Sequence, residues 1–234
     1  MEKAKQEPII KVKNLFKSFK VGENKIEAIR GLDLEIFPED FIVIFGPSGC
    51  GKSTLLNVIL GLENPDSGEV TVRGTKIANL TEDEKGSFRA RKFGMVYQMP
   101  NWIKSMNVLE NVAAPLIIEG LKMKFALEKA SAILKSLEIE CLSGQFPTQL
   151  SGGQQQKVEL ARALIANPWI IMADEPTGNL DSESAEDVMN LLKKLNEQEK
   201  RTIILVTHND DYFNRGTRRI EMRDGKITKD DNHG

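Results

Sequence analysis

Phe41-Ile42-Val43-Ile44-Phe45-Gly46-Pro47-Ser48-Gly49-Cys50-Gly51-Lys52-Ser53-Thr54 is the stretch on which the fold turns. Its first five residues are uninterruptedly apolar, which predicts a central strand buried on both faces. Residues 46–53 fit the pattern G-x-x-x-x-G-K-[ST]. From Lys52 to about Leu62, apolar residues run almost all round a helix, which predicts burial on several sides. Glycines let a backbone wrap closely round phosphates with its N–H groups pointing inward. The helix start behind the loop adds a favourable dipole for an anion. Lys52 is placed to reach β- and γ-phosphates, and the Ser53 hydroxyl to serve Mg²⁺. By composition the match arises roughly once in 20,000 positions, so chance explains it poorly. Gly46, Pro47, Ser48, Gly49, Cys50, Gly51, Lys52, Ser53 and Thr54 are therefore all candidate nucleotide-binding positions. Cys50 occupies a free position of the pattern and reads as a small filler.

Outward from this loop, short strands are expected at 9–12, 26–29 and 32–36 before it, and at 67–74 after it. Residues 81–92 read as a charged helix, with Arg89-Ala90-Arg91-Lys92 on a solvated face. Residues 107–165 are helical in pattern, broken by Pro115, Gly120 and Gly144–Pro147. Trp169 to Ala173 reads as a buried strand, 182–199 as an amphipathic helix, and Thr202 to Thr207 as another apolar strand. Lys229 to Gly234 is polar and expected to fray. From residue 168 strand and helix alternate, which with the strand–loop–helix at 41–62 suits an α/β fold.

The 234 residues suffice for a sizeable core, and the net charge of −2 has both signs interspersed. That argues against a nucleic-acid partner, which needs a basic face. Two distant cysteines, Cys50 and Cys141, suit a reducing compartment rather than a disulfide framework. Met1 to Pro8 is charged and lacks the apolar core of a signal peptide. The apolar runs are strand-sized, whereas a membrane span needs about 20 residues. Work at a membrane would need another chain to cross it.

Asp174-Glu175 follows the apolar run Trp169-Ile170-Ile171-Met172-Ala173. Carboxylates at the C-terminal end of a buried strand sit where doubly wound folds place ligands. Asp174 can serve the Mg²⁺ shell, and Glu175 can polarise an attacking water as general base. Leu150-Ser151-Gly152-Gly153-Gln154 is the most telling segment, since such a pentapeptide occurs about once in a million positions. Ser151 reads as the N-cap of a helix running through Ile165.

With these segments the chain resembles the ATP-binding cassette (ABC) family over nearly its whole length. The resemblance implies a P-loop NTPase fold with a RecA-like core, an antiparallel β subdomain and an α-helical subdomain. It implies one ATPase domain over 1–234, with the nucleotide-binding core at 1–98 and 166–234 and the helical signature subdomain at 99–165. Ser151, Gly152, Gly153 and Gln154 would bind the γ-phosphate of the ATP held by another copy, giving a head-to-tail dimer or a paired ABC subunit around two ATP molecules. Gln98 resembles the family's Q-loop glutamine, facing Mg²⁺ and the attacking water. Asp181 in Gly178-Asn179-Leu180-Asp181 resembles the D-loop aspartate that crosses the dimer interface. His208 resembles the switch histidine that orients the water, and Phe19 the aromatic ring against adenine. Phe19 stands where tyrosine is commoner, and Lys157 where arginine is commoner.

The run Ala173-Asp174-Glu175-Pro176-Thr177-Gly178-Asn179-Leu180-Asp181, with Glu110-Asn111-Val112 and Pro115-Leu116, resembles an exporter-like group of lipoprotein-release, macrolide-efflux and cell-division cassettes. The resemblance implies an ATPase driving an integral membrane permease from the cytoplasmic face of the membrane. A non-transport regulator of an extracytoplasmic partner, as in cell division, is the competing reading. A soluble cassette acting on ribosomes or DNA is disfavoured by the lack of a tandem cassette, long coiled coil or basic surface. Met99 to Met106 is unusual for the family. Met95, Met99, Trp102, Ile103 and Met106 are expected to line an adaptable apolar groove for a permease helix.

Overall fold

The computed structural model describes residues 7–232. Met1–Gln6 and His233–Gly234, which carry part of the readings of both chain ends, lie outside them. In chain order the elements are β1 (Ile10–Val21), β2 (Asn24–Ile36), β3 (Phe41–Phe45), α1 (Lys52–Ile59), β4 (Ser67–Val72), β5 (Thr75–Lys76) and α2 (Glu82–Lys92). There follow β6 (Phe93–Tyr97), α3 (Val108–Ile118), α4 (Met123–Ser136), α5 (Gly152–Leu164), β7 (Ile170–Asp174), α6 (Ser182–Glu197), β8 (Thr202–Thr207), β9 (Arg218–Arg223) and β10 (Lys226–Asn232). The chain divides into two compact units, 1–89 with 195–234, and 90–194.

The first unit holds an antiparallel sheet in the order β2-β1-β4-β5. The two short strands expected at 26–29 and 32–36 are one strand, β2, which follows β1 through register shifts. The same unit holds β10-β9-β3-β8. There β3 lies parallel to both β8 and β9, and Phe41 to Ile44 are buried as the uninterrupted apolar run requires. Lys226 to Asn232 is not frayed: it pairs antiparallel with β9, Asp230 opposite Ile220 and Asp231 opposite Arg219. Arg218 grips Asp230 with two nitrogens, at 2.7 and 2.6 Å, which fastens this polar edge.

Helix α1 is shorter than expected. It ends at Ile59, and Gly61 at φ +66° turns the chain, leaving Leu62 49% exposed while Leu55 to Leu60 face the core apart from half-buried Asn57. Arg89 is not part of a solvated face either. Its guanidinium donates to the Leu60 and Gly61 carbonyls at 3.4 and 3.3 Å, where α1 ends.

In the second unit β6 and β7 pair in parallel, from Phe93 opposite Ile170 to Tyr97 opposite Asp174. Trp169 lies just before β7 and is 54% exposed, so the buried run begins at Ile170. Helices α3, α4 and α5 enclose a second core that includes Val112, Ala130, Leu134, Val158 and Ala161. Asn107 and Glu110 form a capping box at the start of α3, with both reciprocal bonds at 2.9 Å. Pro115 does not break α3, which runs one turn past it; the Pro115 carbonyl still accepts from Glu119 N–H at 3.1 Å. Gly94 lets α5 approach β6 closely: a Cβ there would sit 2.6 Å from the Ala163 carbonyl oxygen.

Candidate functional site

Within the first unit, the loop after β3 is built by backbone conformation. Gly46, Gly49 and Gly51 have φ of +154°, +79° and +106°. The Cys50 carbonyl accepts from Gly225 N–H at 3.1 Å, which pins the loop to the β9–β10 turn. Lys52 is 8% exposed, and its Nζ donates to the Gly46 and Pro47 carbonyls at 2.7 and 3.0 Å. Cys50 is buried, its Sγ 3.9 Å from that ammonium, as a filler should be. Gly51 stands at the N-cap of α1 and offers no side-chain oxygen, and no acidic residue occupies the first turn. The helix start is thus left to an anion from outside the chain.

The parallel register of β3 and β8 sets Phe45 opposite Thr207. Gly46 and His208 are therefore neighbours at the same strand edge, and His208 is exposed there. Phe19 lies on β1 at 36% exposure, with the Lys17 ammonium 5.0 Å from its ring centroid. Lys17 is itself fixed by Glu63 at 2.9 Å and the Asn64 carbonyl at 2.8 Å.

Within the second unit, the register of β6 and β7 does the same for another pair. Tyr97 lies opposite Asp174, so Gln98 and Glu175 leave one strand edge side by side. Gln98 is exposed; Asp174 and Glu175 are half-buried. Glu175 has φ +50°, a left-handed conformation that non-glycine residues rarely adopt. Such strain persists where surrounding structure enforces it, commonly at functional sites. Gly178 packs on Gln98: a Cβ there would lie 2.7 Å from the amide nitrogen.

Ser151 caps α5 through a capping box. Its Oγ accepts from Gln154 N–H at 3.3 Å, and its own N–H donates to Gln154 Oε1 at 2.9 Å. Ser151 and Gly152 are exposed, while Gly153 is buried, with Ser184 Oγ 2.5 Å from where a Cβ would be. Asp181 caps α6, accepting from Ser184 N–H and Oγ–H at 2.9 Å each. Those bonds hold its carboxyl below the usual carboxylate range. A cavity of about 200 Å³ is lined by Gln98, Met99, Gly152, Gln155, Asn179 and Leu180, among others.

Four polar residues of α5 to which the motifs assign no role, Gln155, Gln156, Glu159 and Arg162, make contacts near Gln98. Gln156 donates to the Tyr97 carbonyl at 2.8 Å and Arg162 to the Asn101 carbonyl at 2.6 Å. Gln156 and Glu159 interrupt the buried face of α5 that Leu160, Ala163 and Leu164 share, and two polar residues at that spacing were the available signal. Glu159 is fully buried and meets Arg162 at 2.5 Å. Burial pushes its carboxyl up, with Arg162 pulling against it. The folded chain therefore holds this proton over a pH window where the unfolded chain has lost it. Stability from this group is full below the ordinary value of 4.5 and falls as pH rises through the folded value. Glu159→Gln should remove that slope: its Tm relative to the parent should rise as pH is raised above 4.5. A gap that stays level with pH would count against a raised carboxyl.

Not all of Met95, Met99, Trp102, Ile103 and Met106 are open to a partner helix. Trp102 is taken up by its own chain: the indole N–H donates to Gln155 Oε1 at 3.1 Å, and the Arg162 guanidinium lies 4.9 Å from the ring centroid. Met99, at 74%, and Ile103 remain exposed, while Met95 and Met106 are half-buried.

A lysine-bearing glycine loop on a strand–helix junction, an acidic pair ending a strand, and a capped Ser-Gly-Gly helix start define an ATPase of the cassette class. The sequence profile of the ABC transporter family matches residues 29–178, and the chain belongs to that family as an ATP-binding, ATP-hydrolysing subunit. Its fold is similar to a dimeric post-hydrolysis structure of the ATP-binding cassette MJ0796 bound to ADP and Pi. The TM-score is 0.88 at 41% identity, covering 96% of this chain and 99% of that one. It is 42% identical to the lipoprotein-releasing system ATP-binding protein LolD of Syntrophus aciditrophicus, across 94% of this chain and 98% of the relative. It is 41% identical to the macrolide export ATP-binding/permease protein MacB of Wolinella succinogenes, where it spans 34% of that longer protein and 95% of itself.

Proposed function

We propose that two copies of this chain close head to tail around two ATP molecules and thereby drive an integral membrane permease of the efflux or lipoprotein-release type. Supporting this are the relatives: MJ0796 forms a dimer with ADP and Pi, and LolD and MacB carry lipoprotein-release and macrolide-export names. The observation that carries it is the presence of two different anion-ready helix starts in one chain. One is α1 behind Lys52, with no side-chain cap; the other is α5, with Ser151 and Gly152 exposed. A helix start binds phosphate through its free N–H groups and its dipole. The core at 1–98 and 166–234 would hold ATP, and the segment 99–165 would present Ser151 to the other copy's γ-phosphate.

Phe19 stacks on adenine, Gly46 to Thr54 wrap the phosphates, and Lys52 neutralises charge on the β- and γ-oxygens. Glu175 accepts a proton from the attacking water, which His208 and Gln98 orient. Asp181 sits where the copies meet. Ser53, Gln98 and Asp174 offer hydroxyl, amide and carboxylate oxygens, the hard donors Mg²⁺ prefers. No cluster of three or more His, Cys, Asp or Glu able to hold a metal occurs among the described residues. When bound, Mg²⁺ would neutralise phosphate charge. Losing the γ-phosphate removes the anion that joins the copies, and the dimer reopens.

No helix among the described residues is long and apolar enough to cross a membrane. The chain would work at the cytoplasmic face of the membrane through its permease, with a permease helix on the exposed side chains of Met99 and Ile103. Ser151→Arg tests the sandwich. It should bind ATP within about threefold of the parent but fail to dimerise, because the bulky cation displaces the capped helix start from its phosphate. Light scattering with Mg-ATP reads this out, and a Ser151→Arg chain that still dimerises sinks the arrangement.

A further inference from the structure

Gln98 lies on a segment that two helices grip on both sides. From α5, Gln156 holds the Tyr97 carbonyl at 2.8 Å, Arg162 holds the Asn101 carbonyl at 2.6 Å, and Gln155 accepts from the Trp102 indole at 3.1 Å. From α3, the fully buried Asn111 accepts from Ile103 N–H at 2.9 Å and donates to the Ile103, Met106 and Asn107 carbonyls. Arg162 is the centre of the grip. One nitrogen meets Asn101, another meets Glu159 at 2.5 Å, and its central carbon lies over the Trp102 ring, 4.9 Å from the centroid. Only a guanidinium has the donors and the planar face to do all three. A buried carboxylate is costly as a source of stability, and this one sets its charge against the Arg162 guanidinium.

We propose that Arg162 and Trp102 are positioning residues for ATP hydrolysis: through them the signature helix holds the Gln98 loop, so that Ser151 at one end of α5 and Gln98 beside its middle move as one body. Neither residue touches the nucleotide. They act by fixing where the Gln98 amide stands, and a misplacement of about 1 Å can cost on the order of 100-fold in rate. The inference rests on the role given above to Gln98.

The test is kinetic. Trp102→Leu removes the ring and the indole N–H; Trp102→Phe keeps a face for the guanidinium. Measured on the purified chain, Trp102→Leu should lower kcat about 5- to 20-fold while KM for ATP stays within about twofold, and Trp102→Phe should recover at least about half of parent kcat. Gln98→Ala should lower kcat at least about 10-fold, and adding Trp102→Leu to it should cost no more than about twofold further, since both changes remove one function. A residue that merely supports the fold would multiply its loss with that of Gln98. If Trp102→Leu does not fold, Arg162→Lys replaces it. That variant keeps the charge facing Glu159 but loses the flat fork, and the same pattern is expected. The proposal is overturned if Trp102→Leu or Arg162→Lys keeps kcat within about twofold of the parent, or if the losses multiply. Full turnover by Gln98→Ala alone would instead remove Gln98 from the chemistry, a separate and recognisable failure.

Discussion

Glu175→Gln is expected to bind ATP with near-parental affinity, to hydrolyse it roughly 100- to 10,000-fold more slowly, and to accumulate as a dimer in Mg-ATP. The substitution changes little but the ability to take a proton. Gln has the shape of Glu, and the backbone at 175 is set by its surroundings: φ is +50°, and the carbonyl accepts from Gly178 N–H at 3.1 Å. Holding a non-glycine residue there costs about 1–3 kcal/mol, and the register of β6 with β7 sets it beside Gln98. A general base contributes about 100- to 10,000-fold by accepting a proton in the transition state, and an amide cannot do so. Since nothing on the binding side is touched, ATP should enter and the copies should close, with reopening awaiting slow hydrolysis. Single-turnover kinetics and light scattering measure the two halves separately. Turnover within about fivefold of the parent would remove Glu175 as base. A strictly monomeric Glu175→Gln in Mg-ATP would sink the sandwich itself.

Gly51→Ala is the second large effect. At φ +106° an alanine is strained wherever space exists, and here there is none: its Cβ would lie 2.3 Å from the Ala28 carbonyl oxygen. That neighbour is backbone of β2 and cannot swing aside. The loop must move, and it carries Lys52 and the first N–H groups of α1 with it. Strain and overlap together should cost about 2–4 kcal/mol of stability, and ATP affinity should fall by 100-fold or more if the displaced loop no longer encloses the phosphates. Calorimetry against ATP and a thermal melt check both. Gly49→Ala is the informative contrast: its φ is +79°, but a Cβ there meets nothing within 4 Å, so its loss should come from backbone strain alone. Equal losses at the two positions would show that the Ala28 contact is unimportant.

How much could be read beforehand follows from the range of the forces involved. The glycine loop, the Ser151 cap and the strand at Phe41 to Ile44 depend on residues within one turn or one strand of each other, and the amino-acid types alone dictate them. The sequence neighbours of Arg89 and Trp102 are polar or unusual and point to a surface or groove position for both. Their partners, the Leu60 carbonyl and the α5 side chains, lie about 30 and 53–60 residues away in the chain, where periodicity carries no information.

By itself the sequence determined that a phosphate loop, an acidic pair and a capped signature helix exist, because each is a local statement about backbone freedom, charge and capping. Tertiary structure decided the rest. Lys226 to Asn232 is a strand because β9 offers an edge and Arg218 holds Asp230. Gln98 stands beside Glu175, and Gly46 beside His208, because the parallel registers of β6 with β7 and of β3 with β8 bring distant segments level. Pairing of that kind depends on which strand comes to lie alongside, and no single stretch of chain contains that information.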